Sequence, residues 1–186
     1  MTWQSSQIHN EGIKVLGAVR AQNLYSFVNL TQSGMLTGML RTMQSFPKVT
    51  LIAVGKIKKT WIQQGIELYT KRLPELTVIE IKDSNPESEA SKILTYVKSG
   101  DRLIVLTEEG QSHSSVQLAS MVAKADSGSL IFVIGGPDGI APSLKSQAHH
   151  LLSLSAMTFP HELARLMLIE QLYRAKAINQ NTNYHR

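Results

Sequence analysis

The sequence predicts an α/β domain in which a mostly parallel sheet is flanked by helices. Two observations carry that prediction. Short apolar, β-branched runs recur at residues 49–54, 102–107 and 130–134, the texture of strands buried on both faces. Between them lie segments whose apolar residues fall at helical spacing, so that strands and helices alternate along the chain, as parallel strands joined by crossovers require.

Residues 1–47 stand apart from this pattern. They are rich in Ser, Gln, Asn, Thr and Gly, carry only Glu11, Lys14, Arg20 and Arg41 as acidic or basic residues, and sustain neither period. They are expected to form a flexible N-terminal extension with a weak helix over 15–30, and Met35, Met39 and Met43 are alternative starts. The regular domain spans 48–186. Its first strand, 49–54, ends at Gly55 and a basic turn with Lys56, Lys58 and Lys59. A helix over 61–73 follows, with Trp61, Ile62, Ile66, Leu68, Tyr69 and Leu73 apolar and Pro74 closing it. The clean alternation of 77–82 predicts a strand with one wet face, hence an outer position in the sheet. A short helix over 88–98 leads to the strand 102–107, and Ser114 or Ser115 caps a helix running to Ala125.

Next comes the stretch 130–161. The strand 130–134 breaks at once into Gly135-Gly136-Pro137-Asp138-Gly139, and a second apolar run, 151–154, breaks into Ser155-Ala156-Met157-Thr158-Phe159-Pro160. Adjacent glycines let a backbone approach a bound molecule with no Cβ in the way. In parallel sheets ligands sit beyond the carboxyl ends of the strands, so two such strand ends mark a binding site. The last helix, 161–178, is apolar over much of its circumference and is expected to pack both on its own sheet and on a second subunit. The end of the chain, Tyr184-His185-Arg186, offers a ring to stack, a group to move a proton and a cation to hold a phosphate. Read alone, that tripeptide is an ordinary solvated tail.

Composition narrows the field. With 186 residues and 42% hydrophobic content the chain can bury a proper core, and no apolar run approaches the length of a membrane span. The absence of cysteine rules out disulfides, thiolate metal ligation and cysteine nucleophiles, and suits the cytoplasm. A net charge of +5 fits an acidic partner such as RNA. His113, His149 and His150 show no metal-ligand pattern and read as solvated or packed histidines, and His161 as a cap or a core histidine. A nicotinamide-dependent oxidoreductase expects G-x-G-x-x-G after an early strand with an acid about 20 residues on, and that order is missing.

The ordered motifs LIAVGK (51–56), LTEEG (106–110), FVIGGPDG (132–139), LSLSAMTFPH (152–161), LIEQLYRA (168–175) and the terminal YHR resemble the ribosomal large-subunit RNA methyltransferase H family of the SPOUT class, over about 48–186. The resemblance implies a C-terminal trefoil knot, a homodimer, and methyl transfer from S-adenosyl-L-methionine to N3 of a pseudouridine in 23S rRNA, within the large subunit or whole ribosome. It places Leu106, Gly135, Leu154, Ser155, Ala156, Met157, Thr158 and Phe159 around the cofactor, with Gly136 and Gly139 supporting, and needs no metal. Arg165, Tyr184, His185 and Arg186 become the candidates for the RNA side, His185 as general base or orienting group, Tyr184 as a stacking or hydrogen-bonding ring, the arginines as phosphate grips. Glu108 and Glu109 are candidates for ribose hydroxyls, and Lys56, Lys58, Lys59 and Arg72 for an rRNA footprint or plain surface. A non-catalytic ribosome-binding factor, or a methyltransferase acting on another rRNA or tRNA uridine, are the alternatives.

Overall fold

The computed structural model describes residues 45–125 and 128–185. The expected helix over 15–30, the alternative starts and Arg186 lie outside the described residues. Five strands, β1 (Val49–Val54), β2 (Leu76–Ile81), β3 (Arg102–Ser112), β4 (Leu130–Ile134) and β5 (His150–Ser153), form one sheet in the order β2-β1-β4-β3-β5. Every neighbouring pair is parallel. The helices α1 (Thr60–Thr70), α2 (Pro86–Leu94), α3 (Ser115–Ala123), α4 (Pro142–Gln147) and α5 (His161–Asn179) cover both faces.

The two faces follow from strand periodicity. Leu51, Ala53, Phe132 and Ile134 turn to one side, where they join Leu118, Leu168 and Leu172 of α3 and α5. Ile52, Val54, Ile131 and Val133 turn to the other and meet Ala90, Ile93 and Leu144 of α2 and α4. The strands with continuous apolar runs, at 51–54, 103–106 and 130–134, therefore stand in the middle, and the alternating β2 stands at the edge, as its pattern predicts.

Some boundaries differ from the sequence reading. Helix α2 starts earlier than 88, because the Asn85 side chain accepts from the Ser88 N–H at 2.9 Å and Pro86 occupies the first turn. Helix α3 takes Ser114 as its cap, in a capping box with Gln117. Helix α4 went unpredicted because six residues with one buried side chain, Leu144, show no period. Strand β3 outruns 107: Leu106 and Gln111 both pair with Leu152, and residues 107–110 bulge between them.

Helix α5 buries Leu168, Ile169, Leu172 and Ala175 within its own subunit and leaves Leu163, Leu166 and Met167 only half-buried. Phe46 belongs to the folded core, 7% exposed, although the sequence places the start of the domain at Lys48. Deleting residues 1–44 keeps Phe46 in place. Deleting 1–47 also empties the space Phe46 fills and should cost about 3 kcal/mol, a difference that denaturant melts of the two truncations resolve.

Candidate functional site

The carboxyl ends of β3, β4 and β5 open onto a cavity of about 740 Å³, within the range that holds a drug-sized or nucleoside-sized ligand. Leu106, Gly135, Gly136, Gly139, Leu154, Ser155, Met157, Thr158 and Phe159 line it, and Ala156, alone of the ten cofactor candidates, does not. The sequence reading missed Asp138, Ile140 and Lys145 as further wall residues. Proximity in the chain to Gly139 was the available signal for the first two.

The glycines have steric reasons to be there. A Cβ on Gly135 would stand 2.6 Å from Ile140 Cδ1 and 2.8 Å from the Gly139 carbonyl oxygen. One on Gly136 would stand 2.9 Å from Val54 Cγ1 and 3.1 Å from Asp83 Oδ1. Between them the chain reverses in a tight turn, the Gly139 N–H donating to the Gly136 carbonyl at 3.1 Å, with Pro137 second and Gly139 at φ +83°. The opposite wall is set by a hydroxyl: Ser155 Oγ accepts from the Met157 N–H at 3.1 Å, and Ser153 Oγ donates to the Ser155 carbonyl at 2.8 Å. Apolar walls with backbone edges at both turns suit a flat heteroaromatic ring that needs an apolar slot and hydrogen-bond partners for its rim.

Behind Gly136 lies a carboxyl cluster absent from the sequence reading. Glu89 is 3% exposed and accepts from the Ser84 N–H at 2.7 Å. Burial pushes its carboxyl above the ordinary value of 4.5, helped by the charges of Asp83 and Asp138 and opposed by the Ser84 N–H. A raised folded-state value means that stability is greatest at low pH and falls as pH rises from 4.5 through the raised value. Glu89→Gln, neutral at all pH, should remove that fall while keeping the acceptor for Ser84, which melts recorded from pH 4 to 8 will show.

At the third side of the cavity His161 opens α5, its Nε2 3.4 Å from where a Cβ on Gly55 would be. The next residue, Glu162, accepts from the backbone N–H groups of Lys58 at 3.0 Å and Lys59 at 3.2 Å, which hold its carboxyl below the usual carboxylate range. The basic turn after β1 is thus fastened to the helix start that borders the cavity.

Arg165 does not face outward. It is 1% exposed, donating to Glu80 at 2.5 Å and to the Gly55 carbonyl at 2.9 Å, so within this subunit it fastens α5 to the end of β1 and presents nothing to a phosphate. Its place was readable: Arg165, Leu168, Ile169 and Leu172 form one helical stripe, i, i+3, i+4, i+7. Arg165 Nε lies buried without a partner among the described residues.

Tyr184 and His185 lie at the other end of α5. Asn181, at φ +57°, ends the helix in a Schellman arrangement, with the Thr182 N–H donating to Ala177 at 2.9 Å and its own to Ile178 at 3.1 Å. The chain folds back, and Tyr184 packs edge-on against Tyr173 at 4.7 Å, under the Arg174 guanidinium at 4.9 Å, donating to Glu170 at 3.0 Å. Burial, with the bonds to Tyr69 and Glu170, pushes its phenol well above the ordinary range, so it is a neutral donor. His185 is exposed. Docked there, the Tyr184 hydroxyl stands level with Glu170, about 14 Å along α5 from His161 at the cavity rim, and Tyr184 does not line the cavity of its own subunit.

Residues 48–185 match the family model described as "Predicted SPOUT methyltransferase". The chain belongs to the SPOUT methyltransferase family. It is 52% identical over 136 residues to Ribosomal RNA large subunit methyltransferase H of Synechococcus sp. (strain CC9311), covering 73% of this chain and 94% of that protein. The same shares are covered by the proteins of that name from Parasynechococcus marenigrum (strain WH8102), 54% identical, and Prochlorococcus marinus (strain MIT 9211), 49% identical. A SPOUT methyltransferase needs a place for a methyl donor. Among the described residues no group of three or more His, Cys, Asp or Glu side chains is placed to hold a metal ion, and no helix is long and apolar enough to cross a membrane.

Proposed function

We propose that this SPOUT methyltransferase transfers a methyl group from S-adenosyl-L-methionine to N3 of a pseudouridine in 23S rRNA, acting on the assembled large subunit or ribosome in the cytoplasm. One observation carries the reading: the glycine-floored cavity at three strand ends, in a chain whose relatives of about 50% identity are named for large-subunit rRNA methylation. The cofactor suits the cavity because the turns at 135–139 and 154–159 present backbone groups around an apolar slot. When bound, its sulfonium supplies an electrophilic methyl on a good leaving group.

What remains for the protein is to place the acceptor nitrogen in line and to receive its proton. Alignment of that kind is worth up to about 7–11 kcal/mol. The proton acceptor and the RNA contacts come from Tyr184, His185 and Arg186, with His185 as base or as the group orienting the base edge. Within one subunit Tyr184 docks on Glu170 and Tyr173 and lies outside the cavity lining, and in this reading the tail serves the cavity of a second subunit in a homodimer. The half-buried Leu163, Leu166 and Met167 on α5 are the surface available for that pairing. The same reading includes a trefoil knot. It also makes 48–186 the catalytic domain, in keeping with the extent of the family match.

The test is labelled methyl transfer to ribosomes lacking this methylation, beside naked 23S rRNA, tRNA and ribosomes without the pseudouridine, with the modified nucleoside identified by mass spectrometry. Label in N3-methylpseudouridine on ribosomes alone is the expected result. Label in a different uridine would move the acceptor, and no label from a folded dimer would leave a ribosome-binding factor.

A further inference from the structure

A second cavity, of about 290 Å³, lies away from the methyl-transfer site, between the start of β3, His113 and one face of α3. Its helix wall is Gln117, Ser120, Met121 and Lys124, the i, i+3, i+4, i+7 stripe of α3, and Arg102 and His113 complete it. Among the described residues no carboxylate lines it. Asp101, next to Arg102 in the chain, has both oxygens engaged, by the N–H groups of Lys98 and Ser129 at 2.9 Å each. Arg102 Nη1 reaches the Lys124 carbonyl at 3.5 Å, so the guanidinium is drawn across the helix end toward the second cation.

The histidines add to this. His113 donates Nδ1–H to the Gln111 carbonyl at 3.2 Å, so Nε2 of the neutral ring is an acceptor, suited to a ribose hydroxyl beside a phosphate. Its ring stands edge-on to His150 at 4.9 Å. His150 Nε2 is buried with no hydrogen-bond partner among the described residues. Burial first, then the charges of His113 and Arg102, keep this imidazole below its ordinary value. A concave site with two cations, an imidazole, a hydroxyl and an amide, and no carboxylate among the described residues, has the chemistry of an oxyanion receptor.

We propose that this cavity binds a backbone phosphate of the RNA flanking the methylated nucleotide, an inference that rests on the rRNA methyltransferase reading above. Arg102 and Leu106 share strand β3 and lie about 13 Å apart along it, so an RNA segment leaving the methyl-transfer site need not run far to reach it. The contact is independent of sequence. It sets the register of the RNA and leaves the choice of base to the site itself.

The experiment measures binding to large ribosomal subunits over a salt series for the full chain, Lys124→Gln, and Arg102→Gln/Lys124→Gln, with cofactor affinity of each as the control for folding. The double variant should bind roughly tenfold more weakly at 0.1 M salt, with the slope of log K against log salt lowered by about two, and Lys124→Gln by about one. Steady-state transfer should show a raised KM for subunits at an unchanged kcat. Unchanged affinity and slope, with cofactor binding intact, would overturn the inference and leave the methyltransferase reading standing. A wild-type chain that neither binds nor methylates subunits would overturn both. Lys124 is exposed at the end of α3, so its single variant decides the matter if Arg102→Gln disturbs the fold.

Discussion

Removal of residues 184–186 should lower methyl transfer by roughly 10²–10⁴-fold or more, the range associated with losing a positioned acid or base, while the protein stays folded and binds cofactor as before. The separation follows from where the tail sits. Tyr184 rests on Tyr173 and Arg174 and donates to Glu170, about 14 Å along α5 from His161 at the cavity rim and outside the cavity lining. Losing one edge-on aromatic contact and one hydrogen bond costs about 1–2 kcal/mol, too little to unfold the domain. Single-turnover transfer assays and cofactor calorimetry on the truncated chain check the two halves of this expectation. Full activity would remove the tail from the mechanism, and lost cofactor affinity would give it a different role.

Gly135→Val is expected to do the reverse, weakening cofactor binding about 100-fold while sparing the tail. Its Cβ would meet the Gly139 carbonyl oxygen at 2.8 Å and Ile140 Cδ1 at 2.6 Å. The side chain can swing aside, but the backbone oxygen belongs to the turn that floors the cavity. Relief therefore opens the turn, and a strain of about 3 kcal/mol taken from binding is about a 100-fold loss of affinity. Calorimetry with S-adenosyl-L-methionine measures it directly, and near-normal affinity would show that the floor of the cavity is elsewhere.

The central strands and the two turns were legible in the sequence because one physical demand dominates at each. Residues 130–134 are apolar at every position and residues 49–54 at every position but Thr50, and they end in glycines, Gly55 at positive φ and Gly135 where a Cβ would be crowded. What escaped was set by tertiary contacts. Glu89 looks like a surface residue of a polar helix until α2 packs and turns it toward Gly136. The docked tail depends on Asn181 adopting a left-handed conformation, to which an asparagine-rich stretch alone does not point.

A mixed-dimer assay tests most directly whether one site is built from two subunits. The chain lacking 184–186 keeps an intact cavity, and Gly135→Val keeps an intact tail. Each alone should be inactive, and after co-refolding the pair should label large ribosomal subunits from S-adenosyl-L-methionine, because the mixed dimer contains one complete site. Two inactive parents that remain inactive when mixed, with mixed dimers verified by mass and the wild type active, would contradict a shared site.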